Sequence, residues 1–263
     1  MNVFLYLIIF IMGITVGSFL TLATYRIPLN QDITHKRSYC PKCNHRLEFL
    51  DMIPLFSYIF LNGRCRYCHV KISPRYFIIE LLSGVSLLIL AGVLKIDVYT
   101  LNINIIIELF LGILYIAFLF LMGGISLEHN KIDKRVLTYG FIISILEVGY
   151  QYFLNNKLNM NRIIIYLVLI GLLLLFSISK KGNEKVDNVV DIIIYCILIN
   201  LFTYEITAIL TIIFTLLIVS IRTLIYKIIK KGKKYNLVYP IAFYISISNA
   251  IVLGIIFLKS MVF

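Results

Sequence analysis

Residues 3–25 read VFLYLIIFIMGITVGSFLTLATY and contain no charged side chain. About 20 predominantly apolar residues are enough for a helix to cross the hydrocarbon core of a bilayer, so this stretch predicts a membrane-spanning helix. It lacks the basic start and small-residue cleavage site of a signal peptide and runs on into Arg26. We therefore expect it to remain as the first span of the protein.

The rest of the chain continues the same pattern. Of its 263 residues, 60% are hydrophobic and only 14% are charged, which excludes an ordinary soluble domain. The composition predicts an all-α polytopic membrane protein with about eight transmembrane helices. The other seven apolar stretches are 76–94, 103–124, 136–154, 161–179, 188–203, 205–226 and 239–258.

The positions of the basic residues predict an orientation. Twenty-one of the 25 Lys and Arg residues lie in four segments, 26–75, 131–135, 180–185 and 222–234. The positive-inside rule places these segments in the cytoplasm and both termini outside. Topology and anionic lipid headgroups account for the net charge of +12, so we expect membrane lipid and no nucleic acid as a partner.

Two Cys-x-x-Cys pairs, Cys40 with Cys43 and Cys65 with Cys68, lie in the polar segment after the first span. Each pair presents two sulfurs to a common point, so four thiols in one short loop can surround a tetrahedral ion. This spacing favours a structural zinc site. Two disulfides or four unligated thiols are the alternatives, and a cytosolic location disfavours the disulfides. His35, His45 and His69 lie close by, but four thiols already complete the tetrahedron.

The same loop resembles a known family. The chain reads GSFLTLATYRIP at 17–28, SYCPKC at 38–43, DMIPLFSYIFLNGRCRYC at 51–68 and KISPRYFIIELLSG at 71–84. These segments resemble, in order, the N-terminal half of bacterial type IV prepilin peptidases, although Thr21 stands where an Asn is usual. The expected organisation is a first transmembrane helix at 1–25, a cytoplasmic zinc-binding loop at 26–75 and a membrane-embedded peptidase-like domain at 76–263.

The resemblance implies a membrane aspartic endopeptidase of the bacterial cytoplasmic membrane. Such enzymes remove the basic leader of pilin-like precursors on the cytoplasmic side. Many relatives also methylate the new amino terminus with S-adenosylmethionine, although the sequence contains no recognisable nucleotide-binding loop for that cofactor. The expected partners are therefore pilin-like precursor proteins.

The two expected catalytic aspartates are absent. Ser126 lies where the first belongs, six residues before Ile132, and Asn183 lies where the second closes a Gly-x-Gly-Asp motif. Aspartic proteolysis needs two carboxyl groups that share a proton, and neither hydroxyl nor amide can replace them. We therefore expect impaired proteolysis. The changes at Asp133, Lys134 and Lys180 extend beyond the dyad and favour natural divergence over engineering.

Other carboxylates near these positions are candidate substitutes, namely Glu128 on the first turn and Asp187 on the second. Asp187 is four residues after Asn183, so on a helix it is displaced by about 6 Å along the axis, far more than catalytic geometry tolerates. The alternative is that these acids balance neighbouring Lys and Arg residues. We also expect the turns holding Ser126 and Asn183 to face each other across a cytoplasm-facing cleft.

Three further residues, Arg75, Tyr76 and Glu80, match family positions near the cytoplasmic mouth. They are candidates for binding a basic leader, whereas anchoring of the second helix is the alternative for Arg75 and Tyr76. Three functions remain open: an active prepilin peptidase, a proteolytically silent relative that binds or only methylates pilin-like precursors, and a membrane assembly protein.

Overall fold

The computed structural model describes residues 2–35, 37–97, 99, 102–155, 163–164, 166–171, 184–203, 205–229 and 240–262. Within these residues the secondary structure is helical, apart from two isolated β-bridges in the loop that carries the cysteines. The predicted all-α class is therefore confirmed. The described helices are α1 Asn2–Arg26, α2 Phe56–Phe60, α3 Arg75–Val93, α4 Ile103–His129, α5 Lys134–Asn155, α6 Glu184–Phe202, α7 Glu205–Ile229 and α8 Ile241–Val262.

Among the described residues, four helices are long and apolar enough to cross a membrane. They contain the candidate spans Val3–Arg26, Arg75–Val93, Ile103–His129 and Lys134–Leu154, which match the first four predicted stretches. Shorter apolar helices occur at Val189–Phe202, Ile209–Ile225 and Ile241–Ile256. The sixth and seventh predicted stretches are separate helices. Most of the fifth, 161–179, lies outside the described residues.

Helix α4 is longer than the apolar pattern predicts, because it ends at His129 rather than at residue 124. Ser126 and Glu128 therefore lie on its last turns and not in a loop. The helix ends where Asn130 takes a positive φ of 52° and donates its backbone N–H to the Ser126 carbonyl at 2.9 Å. Asn tolerates this left-handed conformation, which commonly terminates helices.

The described helices form two compact units, Met1–Leu121 and Met122–Phe263. In the first unit, α1 packs closely on α3 through small residues. A Cβ at Gly13 would lie 2.7 Å from the Cα of Gly84, and one at Gly17 would lie 2.7 Å from the Cβ of Ser83. The Ser83 hydroxyl donates to the Gly13 carbonyl at 2.8 Å. Small residues four apart let two helix backbones approach in this way inside a membrane.

In the second unit, buried polar side chains connect the helices. The hydroxyls of Tyr195 on α6 and Ser246 on α8 are 2.7 Å apart, and the Asn249 amide on α8 donates to Thr211 on α7 at 3.1 Å. Such hydrogen bonds hold helices together where lipid offers no polar partner. The division into segments 1–25, 26–75 and 76–263 remains a prediction.

Candidate functional site

The two Cys-x-x-Cys pairs form turns of the same design. Cys40 donates its backbone N–H to the His45 carbonyl at 3.0 Å, and Cys65 donates in the same way to Val70 at 2.9 Å. Asn44 and His69, each next after the second cysteine of its pair, have positive φ values of 55° and 56°. The equivalent bridges Tyr39 to Arg46 and Arg64 to Lys71 close the turns. The sequence therefore folds both pairs into matching tight turns that present their sulfurs.

The two turns bring all four sulfurs together. The Sγ atoms of Cys40, Cys43, Cys65 and Cys68 lie within 4.8 Å of one another, and those of Cys40 and Cys68 are 3.8 Å apart. All four cysteines are free, so neither pair forms a disulfide. Zinc bonded to four sulfurs at about 2.3 Å would place them about 3.8 Å apart, so the donor set fits a tetrahedral ion. Among the described residues, this cluster contains no histidine.

The thiols compete with one another for negative charge. Burial opposes ionisation of Cys40, but the backbone N–H groups of Cys43 and Lys42 and the neighbouring thiols lower its pKa to about 7. The backbone of Val70 favours the Cys68 thiolate, yet burial and hydrogen bonds with the other three thiols raise the pKa of Cys68 to about 11. The Cys40 thiolate therefore forms more readily than the Cys68 thiolate, and a bound cation would stabilise both.

Asp51 supports the second turn from outside the sulfur cluster. Its carboxylate accepts from Arg66 Nε at 2.6 Å and from the Tyr67 hydroxyl at 3.1 Å, and it also accepts from the Glu48 backbone N–H. Burial opposes the charged form, but these bonds, led by the Arg66 guanidinium, lower the pKa of Asp51. Since Arg66 and Tyr67 lie between Cys65 and Cys68, Asp51 positions that pair.

Glu80 connects the cysteine-bearing loop to the membrane helices. It is buried on the second turn of α3, and its Oε2 accepts the backbone N–H of Leu55 at 2.8 Å. The Tyr58 ring packs on Phe77 with centroids 5.4 Å apart. Helix α2 is therefore held against the start of α3. Recognition of a leader by Glu80 stays a prediction.

Arg75 and Tyr76 lie on the first turn of α3. The Arg75 guanidinium carbon is 5.2 Å from the centroid of the Tyr76 ring, a distance typical of a cation–π contact. Basic and aromatic residues with this arrangement are common at membrane interfaces, which fits the anchoring alternative. Substrate binding by this pair stays a prediction.

Ser126 is buried, with 3% of its surface exposed, next to the buried Ile125. Glu128 is half-buried, and its Oε2 lies 3.9 Å from Nε2 of His129. Asp133 pairs with Arg135 at 2.7 Å, and that guanidinium is the main reason why the pKa of Asp133 is lowered. Two of the acids near Ser126 therefore have basic side chains beside them.

The second expected catalytic position is that of Asn183, which lies outside the described residues. Asp187 belongs to α6, but its side chain also lies outside the described part of the protein. A cleft between the turns of Ser126 and Asn183 stays a prediction.

Fold and site together define a helical membrane protein with a cluster of four cysteines, able to hold a metal ion, in the loop between its first two spans. Residues 11–94, which contain that centre, match the bacterial peptidase A24 N-terminal domain. This part of the chain resembles type IV prepilin peptidases, as the sequence motifs predict.

Individual prepilin peptidases are similar to this chain in sequence. The chain is 49% identical over 76 residues to the prepilin leader peptidase/N-methyltransferase of Myxococcus xanthus, covering 29% of this chain and 23% of that protein. It is 42% identical over 87 residues to the Vibrio cholerae protein of the same name, covering 30% and 34%. It is 33% identical over 132 residues to the Bacillus subtilis protein of that name, covering half of each. The matches thus span between 23% and 50% of the length of these relatives, and no solved structure matches the chain.

Two features of the structure, one at the site and one between membrane helices, are missing from the sequence-based prediction. One is the role of Asp51, which meets Arg66 only once the intervening chain has folded, so spacing gives no signal for it. The other is the glycine contact between α1 and α3. A signal for that contact was available, because Gly13 and Gly17 are four residues apart in an apolar stretch.

Proposed function

We propose that this chain is a divergent relative of type IV prepilin peptidases that binds pilin-like precursors at the cytoplasmic face of the bacterial inner membrane without cleaving them by aspartic proteolysis. The match of residues 11–94 and the names of the relatives support the substrate class. The observation that carries the loss of proteolysis is Ser126, a buried hydroxyl near the end of α4 where the motif alignment expects a carboxylate.

The chemistry explains why this substitution matters. One carboxyl of an aspartic dyad polarises the scissile carbonyl while the other takes a proton from water, so both groups are needed. Loss of one positioned acid–base group lowers the rate about 10²- to 10⁴-fold. Asp133 does not replace it, since its pairing with Arg135 favours the ionised form over a shared proton.

The cysteine centre has a structural role in this proposal, with zinc as its ion. Four protein sulfurs fill a tetrahedron and leave no open position for water or substrate, which is the composition of structural zinc sites. A cytoplasmic location of segment 26–75, as its nine Lys and Arg residues favour, keeps these thiols reduced. The same rule puts both termini outside.

Methyl transfer is a second candidate. The relatives are named leader peptidase/N-methyltransferase, and methylation would need S-adenosylmethionine rather than an aspartic dyad. A silent peptidase could therefore retain this step on amino termini that another enzyme exposes. The third candidate function is that of a membrane assembly protein with no affinity for precursors.

Co-purification tests the binding claim. The tagged chain is co-expressed with a pilin-like precursor from its own genome and isolated in mild detergent. A variant of that precursor without its leader is the matched control. We expect the intact precursor to co-purify at least about tenfold more than the control. Equal amounts of both, or neither, would contradict binding through the leader and leave the assembly role.

A further inference from the structure

Helix α2 exposes three large apolar side chains. Phe56, Ile59 and Phe60 are 55%, 56% and 78% exposed. Their spacing of three and four residues places them on one helix face, where the two Phe rings lie 6.3 Å apart. The helix lies outside the candidate spans, so passage through a membrane does not explain this exposure. A contiguous apolar face outside a span indicates a contact surface.

The opposite side of α2 fixes where this face lies. Leu55, the residue before the helix, is buried and bonded to Glu80, and Tyr58 packs on Phe77. Both partners belong to the first two turns of α3. The exposed face therefore points away from α3 while the helix itself is held beside the start of that span.

Helix geometry gives the depth of α2. Helix α3 has 19 residues and is about 28 Å long, close to the thickness of the hydrocarbon core, about 30 Å. Glu80 is five residues beyond Arg75, about 7.5 Å along the helix axis. A segment bonded to Glu80 thus lies near the level where headgroups meet acyl chains.

The net positive charge of the surrounding loop fits a position at the level of the lipid headgroups. Segment 26–75 contains nine Lys and Arg residues and three Asp and Glu residues. A loop with an excess of basic residues is attracted to anionic headgroups, and its exposed apolar side chains can then enter the acyl boundary.

We propose that the apolar face of α2 docks into the interfacial layer of the same membrane that α1 and α3 cross, and so holds the cysteine centre against the bilayer surface. This contact with lipid does not depend on the proposed binding of pilin-like precursors. The occupant of the face is anionic phospholipid, with Phe56, Ile59 and Phe60 as the inserted side chains.

The chain contains no Trp, which permits a direct test. The full-length Phe60→Trp variant is reconstituted into phosphatidylglycerol-containing vesicles with brominated acyl chains, and the indole alone is excited. Tyr39→Trp is the matched control, because Tyr39 is a 41% exposed aromatic residue of the same loop but not of α2. We expect at least about twofold quenching of the indole emission of Phe60→Trp relative to unbrominated vesicles, and little quenching in the control.

Metal content, measured in both variants, shows that the loop has folded. If Phe60→Trp loses its metal, the variant Ile59→Trp, on the same face of α2, is used in its place. Absence of quenching at either α2 position, or equal quenching in Tyr39→Trp, would overturn the proposal. So would emission from Phe60→Trp that is typical of water and shifts to the blue only when a pilin-like precursor is added, since the face would then bind protein.

Discussion

We expect Asp51 to stabilise the second cysteine turn. Its side chain is buried and joins the short helical turn Phe49–Asp51 to Arg66 and Tyr67. The bond to Arg66 is charge-assisted, and such bonds contribute more than neutral ones. Because Arg66 is half-exposed, solvent screens the Coulomb part of this pair.

The first prediction concerns this carboxylate. Asp51→Asn keeps the shape but removes the charge, so we expect the chain to lose its metal several-fold faster to a chelator. Asp32→Asn is the control, because the Asp32 carboxylate bonds to its own turn at Thr34 and His35. Equal rates of metal loss in the two variants would show that Asp51 does not position the centre.

The second prediction concerns the ligands. Cys65→Ser removes one of four sulfurs and opens the tetrahedron, so the purified protein should lose its stoichiometric zinc. Cys196→Ser in α6, outside the cluster, should retain one zinc per chain. Elemental analysis of both proteins measures the difference. Full zinc content in Cys65→Ser would rule out ligation by Cys65.

At the scale of elements, the contact between α1 and α3 depends on the absence of side chains. The Cα of Gly84 and the carbonyl oxygen of Ser83 lie within 3.0 Å of the place a Cβ at Gly13 would occupy. Both are backbone atoms, which cannot rotate away as a flexible side chain could. Any larger residue at 13 therefore separates the two helices.

The third prediction follows from this contact. Gly13→Leu should destabilise the protein by at least about 1–3 kcal/mol, the usual effect of overpacking, and lower its melting temperature in detergent. Gly149→Leu is the matched control, since nothing lies within 4 Å of a Cβ there. Similar melting temperatures for both variants would contradict the close packing of α1 on α3.

The sequence predicts the ends of most helices within a few residues. A long apolar run in a membrane must satisfy its own backbone hydrogen bonds, and a helix does so within one segment. It places the end of α4 too early, since residues 125–129 are polar or mixed but contain no helix breaker before Asn130. The four ligands are predictable from local spacing. The contacts of Asp51 and Glu80 are not, because they join residues 15 and 25 positions apart.

At the scale of the whole molecule, similarity and divergence lie in different parts of the chain. The matched residues 11–94 belong to the first compact unit and contain the complete cysteine centre. Ser126 and Asp133 belong to the second unit, at positions where the resemblance leads us to expect other residues. We infer that the cysteine-bearing part has been maintained while the part expected to carry proteolysis has changed.

The mass of a co-expressed pilin-like precursor tests this account most directly, because leader removal and methylation change it by different amounts. With the unaltered chain we predict an uncleaved precursor. The double variant Ser126→Asp and Asn183→Asp should restore at most partial cleavage, since Lys134 and Lys180 favour ionised carboxylates over a shared proton. Cleavage by the unaltered chain that is abolished by Glu128→Ala or Asp187→Ala would contradict the account and assign proteolysis to a relocated pair of carboxylates.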